Sequence, residues 1–233
     1  MKSAFLLPLL VAVAAAGAVS ASLAQSQSVP LTLGSWETGA YDNYFNMVPG
    51  TPSLTETASG IRMDMLARGS GSAYNYLFTS APMDISEGDV YLKWRCSGAG
   101  QYMYMILALG QFDPGTASYE THARSGTLST SHAYSGSTIV SSNTWYYSHF
   151  VLDPAGETYA CTVALSDYAD NGGTVVDTYT AGYPETRSGP LASGQVGFRA
   201  NDNWGGTSCW VEIGEAVVNP VPEPAVMALH MAL

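Results

Sequence analysis

The stretch Asp89-Val90-Tyr91-Leu92-Lys93-Trp94-Arg95-Cys96 decides the fold that the sequence predicts. From Val90 onward, every second side chain is apolar, and the side chains between are charged or carry a hydroxyl. Alternation with a period of two and a single apolar face is typical of a β-strand that is buried on one side. The sequence therefore predicts a strand over 89–96 with its apolar face in a core.

Other segments on both sides of this stretch have strand character, and Gly, Asn, Asp and Ser separate them. They are 61–66, 75–79, 102–109, 145–152, 159–165, 196–200 and 209–218. Asp153-Pro154-Ala155-Gly156 predicts a β-hairpin turn, and the Gly-rich segments 69–72 and 201–206 predict two more. Outside the N-terminal segment, no ten-residue window has a helical period. We therefore expect an all-β fold, a two-sheet antiparallel sandwich.

The order of these segments resembles the concanavalin A-like lectin/glucanase jelly roll, including its laminin-G-like relatives. Three stretches carry the likeness: 81–86 leading into the central strand, 143–146 opening the next one, and 194–200 followed by 210–215. The resemblance implies a jelly roll in which the closing strand lies beside an early strand, so that the termini emerge close together. Trp94 and Trp145 are expected in its core.

The N-terminus has the composition of an export signal. Lys2 supplies a positive charge, and 4–19 is an apolar run. Ser22-Leu23-Ala24 is a small-x-small cleavage site. We expect residues 1–24 to be a signal peptide and 25–219 to be one β-sandwich domain.

The C-terminal segment 220–233 contains Val221-Pro222-Glu223-Pro224 followed by nine largely apolar residues. It resembles the start of a PEP-CTERM sorting signal, whose bacterial owners are exported, cut at this motif and released to the cell surface or extracellular matrix. Because a membrane span needs about 20 apolar residues, we interpret this tail as a truncated or decayed signal. The resemblance implies a secreted protein that meets the membrane only transiently, during export.

Composition agrees with an extracellular β protein. Eight Lys and Arg stand against nineteen Asp and Glu, for a net charge of −11, and charged residues are only 12 % of the chain. Such a chain repels phosphate backbones, so nucleic acid is not an expected partner. Three cysteines, Cys96, Cys161 and Cys209, allow at most one intramolecular disulfide; all three are expected to be buried.

The sequence lacks the signatures of a hydrolase. Laminarinase-type jelly rolls carry Glu-x-Asp-x-x-Glu on one strand, where period two aligns the carboxylates, and this triplet is absent. Glu212 and Glu215 are interpreted as solvated carboxylates at a sheet edge, with a bulge at Gly214. Polysaccharide lyases of the fold use Arg, His and Tyr across one sheet, and Arg95, His149 and Tyr104 are the residues that would imitate them. We expect no catalytic residue.

Two Asp- and Asn-rich turns are candidates for a structural calcium site, because Ca²⁺ prefers oxygen ligands in flexible turns. The first supplies Asp167, Asp170 and Asn171, and the second supplies Asp202. Neither turn matches the EF-hand spacing. No other cofactor is expected.

Sugar binding requires accessible aromatic rings with polar neighbours, because a pyranose face stacks on a ring while amides and carboxylates bond its hydroxyls. Trp204 lies in a Gly/Asn/Asp loop beside Asn203. Tyr102 and Tyr104 share one face of their strand. These four residues are the predicted carbohydrate-binding side chains.

Three functions remain open from the sequence. The first is a non-catalytic, lectin-like surface or matrix protein that binds polysaccharide. The second is a self-associating structural subunit of a filament or matrix, and the third is a carbohydrate-active enzyme.

Overall fold

The computed structural model describes residues 26–42, 50–66, 73–85, 89–97, 103–109, 121–130, 137–152, 158–182, 193–201 and 209–218. The strands are β1 (Gln27–Ser28), β2 (Trp36–Asp42), β3 (Ser53–Glu56), β4 (Ile61–Asp64), β5 (Ala73–Thr79), β6 (Met83–Asp84), β7 (Asp89–Cys96), β8 (Met103–Leu109), β9 (Thr121–Arg124), β10 (Thr127–Ser129), β11 (Ser137–Ile139), β12 (Tyr146–Leu152), β13 (Thr158–Leu165), β14 (Thr174–Gly182), β15 (Ser193–Asn201) and β16 (Trp210–Val218). Two single-turn 3-10 helices, Leu33–Ser35 and Ala169–Asn171, complete the described elements.

The strands form two eight-stranded sheets. Sheet I has the order β14-β13-β12-β7-β16-β4-β3, with β1 also pairing to β16. Sheet II has the order β11-β10-β8-β15-β5-β2, with β6 on β15 and β9 on β8. All pairs are antiparallel except β10 with β11. The predicted all-β, two-sheet jelly-roll sandwich is confirmed.

The central strand β7 shows why the sandwich forms. Along β7 the side chains are alternately half-buried and buried, as the sequence pattern predicts. Trp94 is fully buried, and its ring lies 5.6 Å from that of Phe198 in β15, across the gap between the sheets. The core therefore lies between the two inner faces and leaves the outer face of sheet I to solvent.

Two of the three predicted hairpins are wrong. The hairpin of β12 and β13 is confirmed by continuous pairing from Tyr146↔Leu165 to Leu152↔Tyr159. In contrast, β4 lies in sheet I and β5 in sheet II, and the same separation holds for β16 and β15. A Gly-rich turn reverses the chain direction, but it does not determine which sheet the next strand joins.

The cysteines are buried as predicted. Cys96 in β7, Cys161 in β13 and Cys209 before β16 are at most 3 % exposed, and none of the three forms a disulfide. Burial, and secondarily the nearby Cys209, raises the pKa of Cys96 to about 12. Burial also raises the pKa of Cys161. At neutral pH Cys96 and Cys161 therefore remain protonated and pack as small apolar groups.

Both ends of the described domain meet in sheet I. Gln27 of β1 pairs with Val218 of β16, and the other end of β16 pairs with β4. The closing strand therefore lies beside early strands, as the sequence predicts. Within the described segments, no helix has the length and apolarity needed to cross a bilayer.

Candidate functional site

A continuous row of aromatic and cationic side chains covers the outer face of sheet I; we call it the aromatic–cationic strip. In spatial order, its members are Arg62, Trp210, Arg95, Trp145, Lys93, Tyr147, Tyr168, Tyr91 and His149. Each member contacts the next through a cation–π or ring–ring contact. The strip crosses four adjacent strands, or about 15 Å at a strand spacing of about 4.8 Å.

The alternation of the strands positions these side chains. Successive side chains in a strand point to opposite faces. Neighbours of buried residues therefore point away from the core in the four strands concerned, β4, β7, β12 and β16. On β7 this places Tyr91, Lys93 and Arg95 outside. Tyr168 is buried, whereas the other eight members are half-buried, so the rings are held in place and still meet solvent.

Cations dominate one end of the strip. Arg62 lies 4.8 Å from the ring centroid of Trp210, and Arg95 lies 5.7 Å from it. Arg95 and Lys93 both contact the ring of Trp145, at 4.5 and 5.1 Å. A cation over an aromatic face contributes about 0.5–1 kcal/mol at an exposed site. These contacts hold the two Trp rings in defined orientations.

Gly214 makes room for Trp145. The pairing of β16 with β7 shifts register between Ile213 and Glu215, which confirms the predicted bulge. A Cβ atom on Gly214 would lie 2.8 Å from the Trp145 ring. Trp145 therefore reaches over this bulge, and a side chain at 214 would displace its ring.

The buried carboxylate of Glu212 holds Arg95 in place at the cationic end of the strip. Its Oε1 accepts hydrogen bonds from the hydroxyls of Thr57 at 2.5 Å and Ser59 at 2.6 Å. Its Oε2 accepts from Nε of Arg95 at 2.8 Å and forms an ion pair with Nη2 at 2.7 Å. Burial alone would raise the pKa of Glu212, but the hydrogen bonds from Ser59, Thr57 and Arg95 outweigh it and lower that pKa. The carboxylate thus stays ionised and fixes Arg95.

The interpretation of Glu212 as a solvated edge carboxylate is therefore wrong. The side chain is 2 % exposed, and its strand lies inside sheet I, between β7 and β4. Glu215, which follows the bulge, is exposed as expected. The odd-numbered spacing between Glu212 and Glu215 correctly predicted the bulge. The sequence did not show that hydroxyls from the β3–β4 turn would donate hydrogen bonds to the Glu212 carboxylate.

At the other end of the strip, the members are aromatic rings, and two acids contact them. The rings of Tyr91 and His149 stack at 4.0 Å with an interplanar angle of 14°. Nε2 of His149 lies 2.9 Å from Asp89 Oδ1, and Nδ1 lies 3.8 Å from Asp170 Oδ2. The Tyr91 hydroxyl donates to the same Asp170 oxygen at 2.8 Å. The imidazole therefore fills the space between the two carboxylates.

The turn that the sequence predicts to bind calcium folds over this end of the strip. Tyr168 packs edge-on against Tyr91 and Tyr147 at 4.9 and 5.1 Å. Asp170 points toward Tyr91, whereas Asp167 accepts hydrogen bonds from the Tyr168 backbone at 2.7 Å and the Asn171 amide at 3.5 Å. In the described segments, no three His, Cys, Asp or Glu side chains gather as metal ligands would. Calcium binding by Asp167, Asp170 and Asn171 stays a prediction.

Most of the predicted carbohydrate-binding residues lie outside the described residues: Tyr102, Asn203 and Trp204, together with the calcium candidate Asp202 and the sorting motif Val221, Pro222, Glu223 and Pro224. Tyr104 lies in β8 of sheet II, where its backbone pairs with Arg199. Arg95 and His149 lie in sheet I, so the lyase-like set of Arg95, His149 and Tyr104 does not share one sheet. That alternative is wrong.

Trp145 is the main functional candidate that sequence reasoning misplaced. It was expected in the core, yet it lies on the outer face, while Tyr146 is buried at 3 % exposure. The alternation of side chains along 145–150 contained the information needed. In a strand, every second residue lies on the same face, so one face carries Trp145, Tyr147 and His149 and the other carries Tyr146, Ser148 and Phe150. The prediction of a buried Trp145 followed the resemblance to the jelly-roll family, whose members place a buried Trp in this strand, rather than this parity.

Comparisons with known proteins find distant structural similarities and no match in sequence. No protein-family model and no curated protein matches the sequence. Among solved structures, the Lotus tetragonolobus seed lectin is 11 % identical, with a TM-score of 0.45 over 82 % of this chain and 95 % of that chain. Lectin II from Ulex europaeus is 9 % identical, with a TM-score of 0.48 over 84 % and 99 %. A lectin from Bauhinia forficata, in complex with GalNAc, is 10 % identical, with a TM-score of 0.45 over 82 % and 96 %. At this similarity no residue role transfers.

Proposed function

We propose that this chain is an exported cell-surface or extracellular-matrix protein that binds polysaccharide without cleaving it, along the aromatic–cationic strip. The unbroken strip is the observation that carries the proposal. Pyranose rings stack on half-exposed aromatic faces, and fixed charged groups at the ring edges bond sugar hydroxyls. Export is proposed from the N-terminal segment and the Val221-Pro222-Glu223-Pro224 motif.

The side chains of the strip differ from those exposed on β14 of the same sheet, and this difference supports binding at the strip. The exposed positions of β14 are mainly threonines, Thr174, Thr178 and Thr180, which suit a solvated face. The strip instead places two tryptophans, three tyrosines and three of the eight Lys and Arg of the whole chain side by side over the outer face of neighbouring strands. Rings already oriented by cations lose little conformational entropy when a ligand binds.

The acids that contact the strip, Asp89, Asp170 and Glu212, are not arranged as a hydrolytic pair. Glycosidases separate two carboxyl groups by about 5–10 Å so that the scissile bond and water fit between them. Between Asp89 and Asp170 the imidazole of His149 occupies that space. Glu212 is buried and already accepts bonds from Thr57, Ser59 and Arg95. These contacts support the proposal that binding proceeds without cleavage.

Alanine substitution of the strip tryptophans is the direct test. We expect Trp145→Ala and Trp210→Ala each to weaken retention on a polysaccharide by about thirtyfold, the effect of losing an aromatic contact of about 2 kcal/mol. Val151→Ala is the matched control, because Val151 is 48 % exposed on the same side of β12 but belongs to no contact of the strip.

The measurement is affinity electrophoresis through gels that each contain one soluble polysaccharide. The protein should be recovered from the medium of an exporting host, and mass spectrometry of its N-terminus should show removal of residues 1–24. Release of reducing sugar by the wild type would contradict the non-catalytic proposal. Equal retention of Trp145→Ala, Trp210→Ala and Val151→Ala on every retaining polymer would contradict binding at the strip.

Self-association is a second candidate function, because β14 is a long edge strand. In the part of the chain that the structure describes, β14 pairs on one side only, with β13. It lacks Lys, Arg and Pro, and Val175 is 49 % exposed. Unguarded edges accept a further strand. Light scattering of the secreted protein distinguishes the candidates, since a monomer at high concentration excludes assembly through this edge.

A further inference from the structure

We infer that the strip selects polysaccharides that carry carboxylate or sulfate groups, and that Lys93 is the residue that recognises them. This inference rests on the proposed function and names the ligand class for the same site. Lys93 lies at the centre of the strip, between Trp145 and Tyr147, so an anion bound there lies beside sugar rings that stack on the neighbouring aromatics.

Two of the three cations of the strip are already paired with a carboxylate, and the third is not. Arg62 donates from Nε to Asp64 at 2.8 Å, and Arg95 is bound to Glu212. Among the described residues, no carboxylate lies within the 4.0 Å ion-pair distance of the Lys93 ammonium. Lys93 therefore carries the one charge of the strip that lacks an internal counter-ion.

The backbone explains why Lys93 lacks a counter-ion. Glu215 is its register partner in β16, but Glu215 directly follows the bulge in that strand and its side chain is exposed without reaching Lys93. The nearest groups are instead the rings of Trp145 at 5.1 Å and Tyr147 at 5.4 Å. An aromatic ring attracts an ammonium but accepts no conventional hydrogen bond from it, so three N–H donors remain available to a ligand.

The acids far from the strip, which contribute to the net charge of −11, do not oppose this inference. At physiological ionic strength the Debye length is about 8 Å, so exposed acids farther away are largely screened. A bound polyanion is governed by the charges near the strip. Asp64 and Glu212 are already paired with Arg62 and Arg95, and Asp89 and Asp170 flank His149 at the far end. Glu215 is the acid nearest the centre, since it is the register partner of Lys93 and acts electrostatically on Tyr168, so an anion must approach Lys93 from the side away from Glu215. Apart from Lys2 in the N-terminal segment, Lys93 is the sole lysine of the chain.

The test compares Lys93→Met, which keeps the apolar stem and removes the charge, with Lys93→Arg, which keeps the charge. The probes are two matched polymer pairs: polygalacturonate with its methyl ester, and a sulfated galactan with agarose. Each pair differs mainly in charge, and the two pairs distinguish carboxylate from sulfate. We expect the wild type to prefer the charged member of at least one pair, and Lys93→Met to lose about tenfold or more in affinity for that member.

Lys93→Arg should retain most of the preference, and raising NaCl from 0.05 to 0.5 M should weaken the wild type far more than Lys93→Met. If Lys93→Met binds the charged polymer as the wild type does while Trp145→Ala does not, the role of Lys93 is wrong and the proposed function stands. If the wild type binds each neutral polymer as tightly as its charged partner, the ligand class is wrong. If the wild type is retained by no polysaccharide in the wider screen, both proposals fail.

Discussion

Replacing Glu212 with alanine is expected to lower the free energy of unfolding by about 2–4 kcal/mol. Removing one partner of a buried ion pair costs about 3–5 kcal/mol, because the remaining charge is left uncompensated. Here the cost is reduced because Arg95 is 27 % exposed and regains some hydration. Three donor groups, those of Thr57, Ser59 and Arg95, lose their acceptor at the same time. Urea-induced unfolding followed by tryptophan fluorescence measures the loss.

Glu212→Gln is the matched control, since it keeps the shape and removes the charge. The pKa of Glu212 is lower in the folded state than in the unfolded state, so the ionised carboxylate stabilises the fold. This stabilisation is fully present above the unfolded pKa of about 4.3 and is lost as the pH falls through the folded pKa. The stability difference between wild type and Glu212→Gln should therefore shrink as the pH falls from 7 to 3. A difference that is constant over this range would show that the charge of Glu212 has no stabilising role.

Replacing Trp94 with alanine is expected to cost about 3–5 kcal/mol, the range for truncating a buried aromatic side chain. Trp94 is 0 % exposed, stacks on Tyr146 at 5.2 Å and contacts Phe198 of the opposite sheet. Its Nε1 donates to the Ser148 hydroxyl at 2.8 Å. Because whole domains are stable by only about 5–15 kcal/mol, this change alone removes a large part of the stability. Differential scanning calorimetry gives the Tm and the unfolding enthalpy.

Trp94→Phe keeps the test informative if the alanine variant does not fold. It retains an aromatic ring between the sheets but loses the hydrogen bond to Ser148, and we expect a cost of about 1–2 kcal/mol. An unchanged Tm in Trp94→Phe would mean that neither the hydrogen bond nor the lost ring volume stabilises the sandwich.

The fold was largely predictable because a strand that is buried on one face requires apolar residues at every second position of the local sequence. Along β7, the alternation of Val90, Leu92 and Trp94 with polar residues predicted both the strand and its inner face, and the structure reproduces each position. Sheet membership was less predictable. The turn residues around 69–72 and 201–206 indicate a change of direction, whereas the choice between sheets depends on packing between residues far apart in sequence.

The candidate site was visible only in fragments. The sequence shows that Lys93 and Arg95 share one face of β7, but their contact with Trp145 depends on the register between β7 and β12. That register is set by the whole sheet. Glu212 is the clearest case, because the hydroxyls of Thr57 and Ser59 that satisfy it are more than 150 positions away in the chain.

The place of β16 in sheet I has a consequence for how the molecule is made. β16 is the last described strand, yet it lies in the interior of sheet I, between β7 and β4, and also pairs with β1. While the chain is being synthesised from its N-terminus, β4 and β7 have no strand between them until residues 210–218 appear. Sheet I therefore completes only after synthesis of nearly the whole domain. A chain that stops before residue 210 keeps two open strand edges, which makes it prone to aggregate.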